Sequence, residues 1–567
     1  RATSPLVNAS TWALMLTGRV LSDDETPGPA GHLRNAIRRL GEPVIRTAVG
    51  QAMRELGRQF VLGRDIGEAL SEAAKQERRG WLYSYDMLGE AARTDADAAR
   101  YYDAYESAID AIAPRATHDD PARNPGISIK LSALDPRYEE LQRDRAIAVI
   151  APRLRALALK AKAANMGLNV DAEEAERLEL SLDVIETVFS DPALAGWDGF
   201  GVVVQAYGPR AAPTLDWLHD LAQRLDRRVM VRLVKGAYWD AEIKRAQTLG
   251  LERFPVFTRK AATDVSYIAC ARKLLAMRPR VFPQFATHNA NSMAAVLALA
   301  GAERSGFEFQ RLHGMGAALH EAVRAESGVP CRIYAPVGAH ADLLAYLVRR
   351  PLEHGANSSF VNQIVDARIA PETIAADPVA KAEALFPTVS HPAIRRGPDL
   401  YGAARRNSRG FDLADPDHRE EIETARAPFR ARRWEAAPLL DGPAAPAASR
   451  DLPNPADPSD IVGTVREAGA ADVETALRAA VAAAPAWEAR GPSDRAAILR
   501  RASDLYEARF GELFAIAARE AGKTLPDCVA ELREAVDFLR YYAAEAERLA
   551  DHGHPRGVVA CVSPWNF

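Results

Sequence analysis

Residues 200–235 read FGVVVQAYGPRAAPTLDWLHDLAQRLDRRVMVRLVK, and this stretch decides the fold. It joins one short, apolar, β-rich run to another through an amphipathic stretch with a helical pattern. A strand, a helix and a second strand in this order indicate a βαβ unit of a parallel sheet. The same rhythm recurs along the chain and gives eight β-rich runs, which are Trp81–Met87, Gly126–Leu131, Gly167–Asp171, Phe200–Tyr207, Arg228–Lys235, Val281–His288, Phe307–His313 and Cys331–Val337.

The number of these runs favours a closed sheet. The segments between them carry helical patterns, for example Asp144–Ala164 and Thr263–Met277. Eight strand–helix units over about 260 residues are typical of a (β/α)8 barrel. A doubly wound, Rossmann-like sheet stays open as the alternative on pattern alone.

Four segments follow from the changes of rhythm along the chain. Residues 1–75 read as a helical arm and residues 76–370 as the barrel, and residues 371–450 form a linker rich in proline, alanine and arginine. Residues 451–567 are mainly helical and close on an apolar, strand-like run, Gly557–Val562, so we expect an incomplete domain there. Its predicted helices are Val473–Ala484, Ser493–Ala521 and Asp527–Ala550.

Composition restricts the class of protein. The chain has 567 residues, 48% of them hydrophobic, and a net charge of -4, which suggests two or three domains and calls for no nucleic-acid partner. Residues 1–45 show no short, basic strand–helix–helix unit. The four cysteines form no disulfide or zinc pattern, and no signal peptide or spanning segment of roughly 20 apolar residues is visible. We therefore expect a reducing, cytoplasmic compartment.

The ends of the predicted strands carry unusual polar content. In a parallel barrel, functional groups lie at the carboxyl ends of the strands, where they converge on one mouth. One such residue alone is usually a rim residue with satisfied hydrogen bonds, whereas several together indicate a site. The candidates are Lys130, Asp171, Gln205, Tyr207, Arg232, Lys235, Thr287, His288, His313 and Tyr334.

A second candidate is a helix predicted after the eighth strand. Tyr346, Arg349, Arg350 and Glu353 fall on one face at helical spacing, and Pro351 should kink this helix. Two adjacent guanidinium groups suit a carboxylate or a phosphate. A solvated basic patch is the alternative and is the commoner outcome for an Arg-Arg pair.

Three other motifs fail. Gly314 and Gly316 open a dinucleotide-binding pattern whose third glycine position is Leu319. The GKT sequence at residues 522–524 lacks the earlier glycine of a P-loop. His313 and His320 lie on a predicted loop and helix without an accompanying set of carboxylate or cysteine ligands, so no metal is predicted.

Long motifs give the sequence a family resemblance. The chain resembles the proline dehydrogenase family in GISIKL (126–131), GLNVDAEE (167–174), VRLVKGAYWD (231–240), ATHN (286–289), FEFQRLHGMG (307–316), IYAPVG (333–338) and YLVRRPLEHGANSSFV (346–361). EAGKT (520–524), EAVDFLRYY (534–542) and SPWNF (563–567) look like the start of an aldehyde dehydrogenase. The narrower resemblance is to the bifunctional proline utilization A family. Pro351 and His354 depart from the leucine and asparagine usual in the family, which affects the expected geometry of Arg349.

The resemblance implies an FAD-binding barrel and a role for each matching residue. Lys130, Arg349 and Arg350 would hold the carboxylate of proline, with Glu353 as partner of the arginines. Arg232 would lie beside flavin N5, and Asp171 would orient Lys130 or Tyr334. The implied flavin contacts are Ala172, Gln205, Lys235, Gly236, Ala237, Trp239, Thr287 and His288. The implied walls around the pyrrolidine ring are Tyr238, Leu312, Tyr334 and Tyr346.

The resemblance also implies a reaction and its partners. L-proline would be oxidised to Δ1-pyrroline-5-carboxylate by hydride transfer from C5 to flavin N5, with a membrane quinone as electron acceptor. A second, NAD-dependent oxidation would belong to the aldehyde dehydrogenase module, of which Asn566 matches the oxyanion-hole asparagine. The nucleophile and most of the NAD fold are expected beyond these residues. We also predict a homo-oligomer and peripheral contact with the inner membrane.

Two rival functions stay open on the residues alone. An arginine pair on a barrel also suits an isomerase or lyase that acts on a phosphorylated substrate. A proline-responsive DNA-binding regulator is the non-enzymatic alternative.

Overall fold

The structure is a computed structural model that describes residues 60–338, 376–442, 444–550 and 556–563. The chain divides into two compact units. The first comprises residues 1–242 with 255–391, and the second comprises residues 243–254 with 392–567.

The first unit contains a closed, eight-stranded parallel barrel. Each strand pairs with the next in sequence, and β1 also pairs in parallel with β8, so that Ser84 lies opposite both Gly126 and Tyr334. This closure confirms the predicted (β/α)8 barrel and excludes the open sheet. The strands are β1 (Leu82–Met87), β2 (Gly126–Ile129), β3 (Gly167–Val170), β4 (Phe200–Gln205), β5 (Val229–Val234), β6 (Val281–Ala286), β7 (Glu308–Leu312) and β8 (Cys331–Val337).

The helices between and after the strands bury one apolar face each. On the helix Asp95–Ile112 the buried residues are Ala98, Tyr105, Ala108, Ile109 and Ile112, and Thr94 and Asp97 form a capping box at its start. The helices up to residue 391 are α1 (Ile66–Glu77), α2 (Asp95–Ile112), α3 (Arg143–Ala163), α4 (Leu178–Phe189), α5 (Ala211–Arg224), α6 (Trp239–Thr248), α7 (Lys260–Ala276), α8 (Ala290–Ala300), α9 (Ala317–Ser327) and α10 (Pro378–Glu383). None of the described helices is long and apolar enough to cross a bilayer.

The interior of the barrel is polar. Asn169 on β3 donates to Gln284 on β6 at 2.9 Å, and because these strands are not neighbours, the bond crosses the interior. Below it, Arg332 forms a two-point ion pair with Glu308, at 2.8 and 3.1 Å. Arg332 also donates to the carbonyl oxygens of Tyr83, Asn124 and Ala122. The floor of the barrel is therefore closed by a buried ion pair with well-satisfied partners.

The second unit holds a small sheet and five helices within its described residues. β10 (Ser449–Asn454) pairs antiparallel with β11 (Asp457–Arg466), which pairs in parallel with β9 (Trp434–Ala436). The helices are α11 (Pro416–Arg426), α12 (Ala470–Ala489), α13 (Pro492–Ala508), α14 (Phe510–Ala521) and α15 (Leu525–Arg548). A cluster of Phe411, Ile422, Phe514, Cys528, Val529, Leu532 and Val536 forms the core.

Three expectations for this unit were wrong. The sheet lies where a linker and a helical segment were predicted. The strands were missed because β10 is exposed, contains Pro453 and lacks the alternation of polar and apolar residues that marks a half-buried strand. The single helix predicted over Ser493–Ala521 is two helices that meet at Arg509. Gly557–Val562 is exposed and forms no strand, because strand-forming residues need a paired neighbour.

We expect the buried ion pair to matter for stability far more than an exposed one. Arg332→Met leaves Glu308 buried without its cation and should lower the free energy of unfolding by about 3–5 kcal/mol. Arg228→Met is the matched control, since Arg228 pairs with Asp198 at 3.3 Å with both side chains more than 40% exposed, and it should cost under about 1 kcal/mol. Urea-induced unfolding followed by tryptophan fluorescence measures both. Equal losses would contradict the importance of the buried pair.

Candidate active site

A buried ammonium group lies at the carboxyl ends of the barrel strands. Lys130, the residue after β2, is 7% exposed, and its Nζ lies 2.8 Å from Asp86 Oδ1 and 3.2 Å from Asp171 Oδ2. Lys130 Nζ also lies 3.3 Å from the hydroxyl of Tyr334, which donates to Asp171 Oδ2 at 2.8 Å. Strands β1, β2, β3 and β8 thus meet in one hydrogen-bonded cluster at the mouth.

A buried guanidinium group extends this cluster into the barrel. Arg232 on β5 is 3% exposed, and its Nη1 donates to Asp171 Oδ1 at 2.9 Å and to Ser128 Oγ at 3.0 Å. Its Nη2 donates to Ser84 Oγ at 3.2 Å, and its Nε donates to Gln310 Oε1 at 2.7 Å. Asp171 therefore binds both cations of the mouth, one with each carboxylate oxygen.

The charges of the cluster fix its protonation. Burial alone lowers the pKa of Lys130, but Asp86, Tyr334 and Asp171 together raise it well above its ordinary value. Burial, helped by Asp171 and Asp86, raises the pKa of Tyr334 well above its ordinary value. At neutral pH the mouth therefore presents a charged ammonium and a neutral phenol that donates a hydrogen bond.

The ends of β4 and β5 form a close-fitting corner. Gln205 donates from its Nε2 to the carbonyl of Glu173 at 2.8 Å and accepts from the amide of Ala237 at 3.3 Å. Gly236 has φ +139°, and a Cβ there would lie 2.3 Å from the ring of Tyr207. Only glycine permits this backbone conformation and this approach.

Lys235 and Trp239 lie on the same side of the mouth. Lys235 pairs with Asp264, which also binds Lys260. Burial lowers the pKa of Lys235, and Asp264 opposes that shift. Trp239 is 36% exposed and donates from Nε1 to the carbonyl of Phe257 at 2.7 Å.

Two histidines hold the ends of β6 and β7. His288 Nε2 accepts from the amide of Leu312 at 3.0 Å. His320 Nε2 lies 2.9 Å from the carbonyl oxygen of Thr287, which can only accept, so this nitrogen carries the proton. His320 Nδ1 then accepts from the thiol of Cys331 at 3.3 Å. The contact with Cys331 was not predictable from the sequence, because Cys331 lies on β8, away from His320 along the chain.

The predicted residues divide the mouth into two sides. The predicted flavin contacts follow four adjacent strands, β3 to β6. Of the residues predicted for the substrate, Lys130 follows β2, Leu312 ends β7, Tyr334 lies within β8, and Tyr238 follows β5. Asp171 and Arg232 join the two sides. The roles of these residues stay predictions.

Five predicted site residues lie outside the described residues. They are Tyr346, Arg349, Arg350, Glu353 and Asn566.

Sequence reasoning missed four residues that contact the cluster. Asp86 is the last residue but one of β1 (Leu82–Met87). A charged side chain near the end of a predicted strand was the feature that identified the other candidates, so the same feature could have identified Asp86. Ser84, Ser128 and Gln310 lie inside the strands and gave no signal. Their contacts with Arg232 join strands far apart in the sequence.

The residues present fit a flavin. A flavin ring becomes electron-rich on reduction and is stabilised by a fixed cation, which Arg232 provides in a buried setting. Gln205 and the backbone at Ala237 form a polar edge on the same side of the mouth, where Gly236 leaves room for the ring of Tyr207. Within the described part of the chain, no group of three or more His, Cys, Asp or Glu side chains could hold a metal ion.

The fold and its cationic mouth define a (β/α)8 barrel of the enzyme type, with a polar site at the carboxyl ends of the strands. The chain belongs to the proline dehydrogenase family, whose sequence model matches residues 69–363. The aldehyde dehydrogenase family model matches residues 445–567. The predicted recognition of both families is confirmed. These families imply flavin and NAD coenzymes.

Known proteins resemble the chain along its whole length. It is 50% identical over 581 residues to the bifunctional protein PutA of Escherichia coli K12, a match that covers 100% of this chain and 44% of that protein. The crystal structure of a mutant proline utilization A from Bradyrhizobium japonicum matches with a TM-score of 0.76 and 45% identity, over 95% of this chain and 52% of that one. The Bdellovibrio bacteriovorus protein, inactivated by N-propargylglycine, matches with a TM-score of 0.79 and 27% identity, over 89% and 54%. The chain spans about half the length of the curated relatives it matches.

One prediction about partners needs correction. A family model described as the DNA-binding domain of proline dehydrogenase matches residues 1–60. This match is at odds with the expectation of no nucleic-acid partner. Asp23, Asp24 and Glu25 lower the net positive charge of this segment, so a basic DNA-binding unit was not recognised in the sequence.

The buried histidines should make the barrel sensitive to acid. Burial lowers the pKa of His320 from 6.5 to about 4. Between these values the unfolded chain binds a proton that the folded chain does not, so the free energy of unfolding falls as the pH drops from 6.5 to 4. His320→Gln keeps a donor for Thr287 but cannot titrate, and its urea midpoint should fall less over this range. An unchanged dependence on pH would show that His320 does not contribute.

Proposed function

We propose that this chain binds FAD and oxidises L-proline to Δ1-pyrroline-5-carboxylate. The observation that carries the proposal is the buried Lys130 ammonium between Asp86 and Asp171 at the mouth of a proline dehydrogenase-family barrel. A small zwitterionic substrate needs such a cation for its carboxylate. The flavin, when bound, would supply the acceptor for the hydride that leaves C5 of proline, and loss of the amine proton to solvent would free the nitrogen lone pair that forms the C=N bond.

The side chains divide the work of binding and orientation. Lys130, with Arg349 and Arg350, holds the substrate carboxylate through charge-assisted hydrogen bonds. Asp171 and Tyr334 fix the position of Lys130 and act as neither acid nor base in this scheme. Tyr238, Leu312 and Tyr346 enclose the ring, and Glu353 orients the arginines.

The opposite side of the mouth is proposed to hold the cofactor. Arg232 places a positive charge beside flavin N5 and stabilises the electron-rich reduced ring. The corner built by Gln205, Gly236 and Ala237 gives the flat ring a surface. Ala172, Lys235, Trp239, Thr287 and His288 complete the proposed contacts.

The remaining partners are proposed on the family resemblance. A quinone at the membrane surface reoxidises the flavin, which implies a cytoplasmic protein in peripheral contact with the inner membrane. We also propose a homo-oligomer. The NAD-dependent second oxidation belongs to the aldehyde dehydrogenase part of the relatives, and Asn566 is proposed to contribute to its oxyanion hole.

Three measurements on one preparation test the function. The purified chain should be yellow, with flavin absorbance bands that L-proline bleaches under anaerobic conditions. Lys130→Met should retain the flavin but raise the proline concentration for half-maximal bleaching at least roughly tenfold, because a charge-assisted bond of about 1.5–3 kcal/mol is lost. Arg349→Ala with Arg350→Ala should abolish bleaching. Lys273→Met on α7 removes a surface ion pair with Asp216 on α5, so this variant is the control and should match the wild type.

Two outcomes would contradict the proposal. A folded protein that never takes up flavin would leave the rival, a colourless isomerase or lyase of phosphorylated substrates. Normal bleaching in the arginine double variant would remove the proposed carboxylate site.

A second proposal concerns DNA binding by residues 1–60. The family match carries it, and the segment has eight arginines, no lysine and five acidic side chains. Arg34, Arg38 and Arg39 fall close together if this segment is helical, as the sequence predicts. Such a group suits the phosphate backbone of DNA.

The salt dependence of DNA binding tests this second proposal. The full chain should bind duplex DNA with an affinity that falls steeply as salt rises. Changing Arg34, Arg38 and Arg39 to Gln should reduce the slope of log affinity against log salt by about 2 to 3, because each phosphate contact contributes about 0.9. The control changes Arg100, Arg155 and Arg224, which are exposed on the barrel unit. Equal effects in both triple variants would indicate non-specific attraction and contradict the assignment.

A further inference from the structure

The guanidinium group of Arg232 is held on several sides by the barrel. Its contacts come from β1, β2, β7 and the residue after β3, and they use four of the five N–H donors that an arginine has. Asp171, Ser128 and Ser84 bind the two terminal nitrogens. Among the described residues, only Gln310 binds Nε, at 2.7 Å. Gln310 therefore fixes the edge of the guanidinium group that the other three residues leave free.

The orientation of the Gln310 amide is itself determined by a deeper charge. Gln310 Nε2 donates to Glu308 Oε1 at 2.8 Å, and both side chains are 1% exposed. An ionised carboxylate only accepts, and an arginine only donates. The NH2 group of Gln310 must therefore face Glu308 and its oxygen must face Arg232. Glu308 in turn is held by Arg332 from the floor of the barrel.

We propose that Gln310 is the positioning residue for Arg232, transmitting the fixed geometry of the Glu308–Arg332 pair to the cation at the mouth. The proposal rests on the proposed function, in which Arg232 lies beside the flavin. A cation stabilises a developing negative charge only at a fixed distance and angle, because a loose group must first reorient. Gln310 removes that freedom without adding a charge next to the flavin.

The barrel contains a matched residue for comparison. Gln284 on the neighbouring strand β6 is also 1% exposed and also donates from Nε2 to Glu308 Oε1, at 3.0 Å. Its oxygen accepts from Asn169 at 2.9 Å, so it binds a neutral amide where Gln310 binds Arg232. The two glutamines lie on adjacent strands, are equally buried and donate to the same carboxylate oxygen. They differ in whether the carbonyl oxygen contacts the cation.

The same substitution at the two positions separates positioning from general stability. Methionine has nearly the volume of glutamine but no hydrogen-bonding amide. Gln310→Met and Gln284→Met should both retain flavin and lose similar stability in urea. Only Gln310→Met should shift the flavin midpoint potential to more negative values. It should also slow flavin reduction at saturating proline roughly tenfold, the loss expected for one bond to a charged group.

Binding of the substrate provides a further distinction. Proline affinity should change little in Gln310→Met, because Lys130 lies on the other side of the mouth. Should Gln310→Met fail to fold, Gln310→Asn replaces it: the shorter side chain keeps the amide but cannot reach Arg232 and Glu308 together, and the same shift in potential is expected.

The outcomes distinguish this inference from the proposed function. A wild-type chain that binds no flavin would refute the function and the inference with it. Flavin bound normally, with equal midpoint potentials in the wild type and in a folded Gln310 variant, would refute the inference alone. Equal shifts in the Gln310 and Gln284 variants would also refute it, because they would show a general effect of the polar interior.

Discussion

The structure of the barrel depends on a chain of buried, alternating charges. Lys130, Arg232 and Arg332 carry three positive charges, and Asp86, Asp171 and Glu308 carry three negative ones, with side chains at most 10% exposed. Removing each ion from water costs several kcal/mol, which only close pairing and further hydrogen bonds offset. An interior built for stability alone would use aliphatic side chains. The six ionisable groups therefore have a role other than stability, which is to fix the positions of Lys130 and Arg232 at the mouth.

The barrel was predictable from sequence because of how parallel strands are buried. Both faces of the strands are buried, and β4 and β5, which read as largely apolar runs, were located to within two residues. The second unit followed the opposite rule. β10 lies exposed at an edge and reads as polar, proline-containing sequence, so it was taken for part of a linker.

The site was predictable only in part, for a related reason. Lys130 and Asp171 directly follow β2 and β3, where sequence position alone places them at the mouth, whereas Tyr334 lies within β8. Gln310 and Glu308 belong to β7. Gln310 accepts from Arg232 on β5, and Glu308 accepts from Arg332 on β8. No spacing rule within one strand reveals such contacts. The resemblance to proline dehydrogenases predicts ligand-facing residues but gives no indication of the polar residues Ser84, Ser128 and Gln310 that bind Arg232.

The neutrality of this charge chain has a consequence for ligands. A substrate carboxylate adds a negative charge on the Lys130 side, and a reduced flavin adds one on the Arg232 side. The cations of this chain are already paired with its carboxyl groups, so neither addition meets an unpaired cation within it. On the substrate side, the proposed role of Arg349 and Arg350 is to supply positive charge to the carboxylate. On the proposed flavin side, Arg232 is the cation in question, and it also binds Asp171. Its orientation, more than its charge, would therefore determine how much it stabilises a reduced flavin. Asp171 links the two sides, because the carboxylate that binds Arg232 also contacts Lys130.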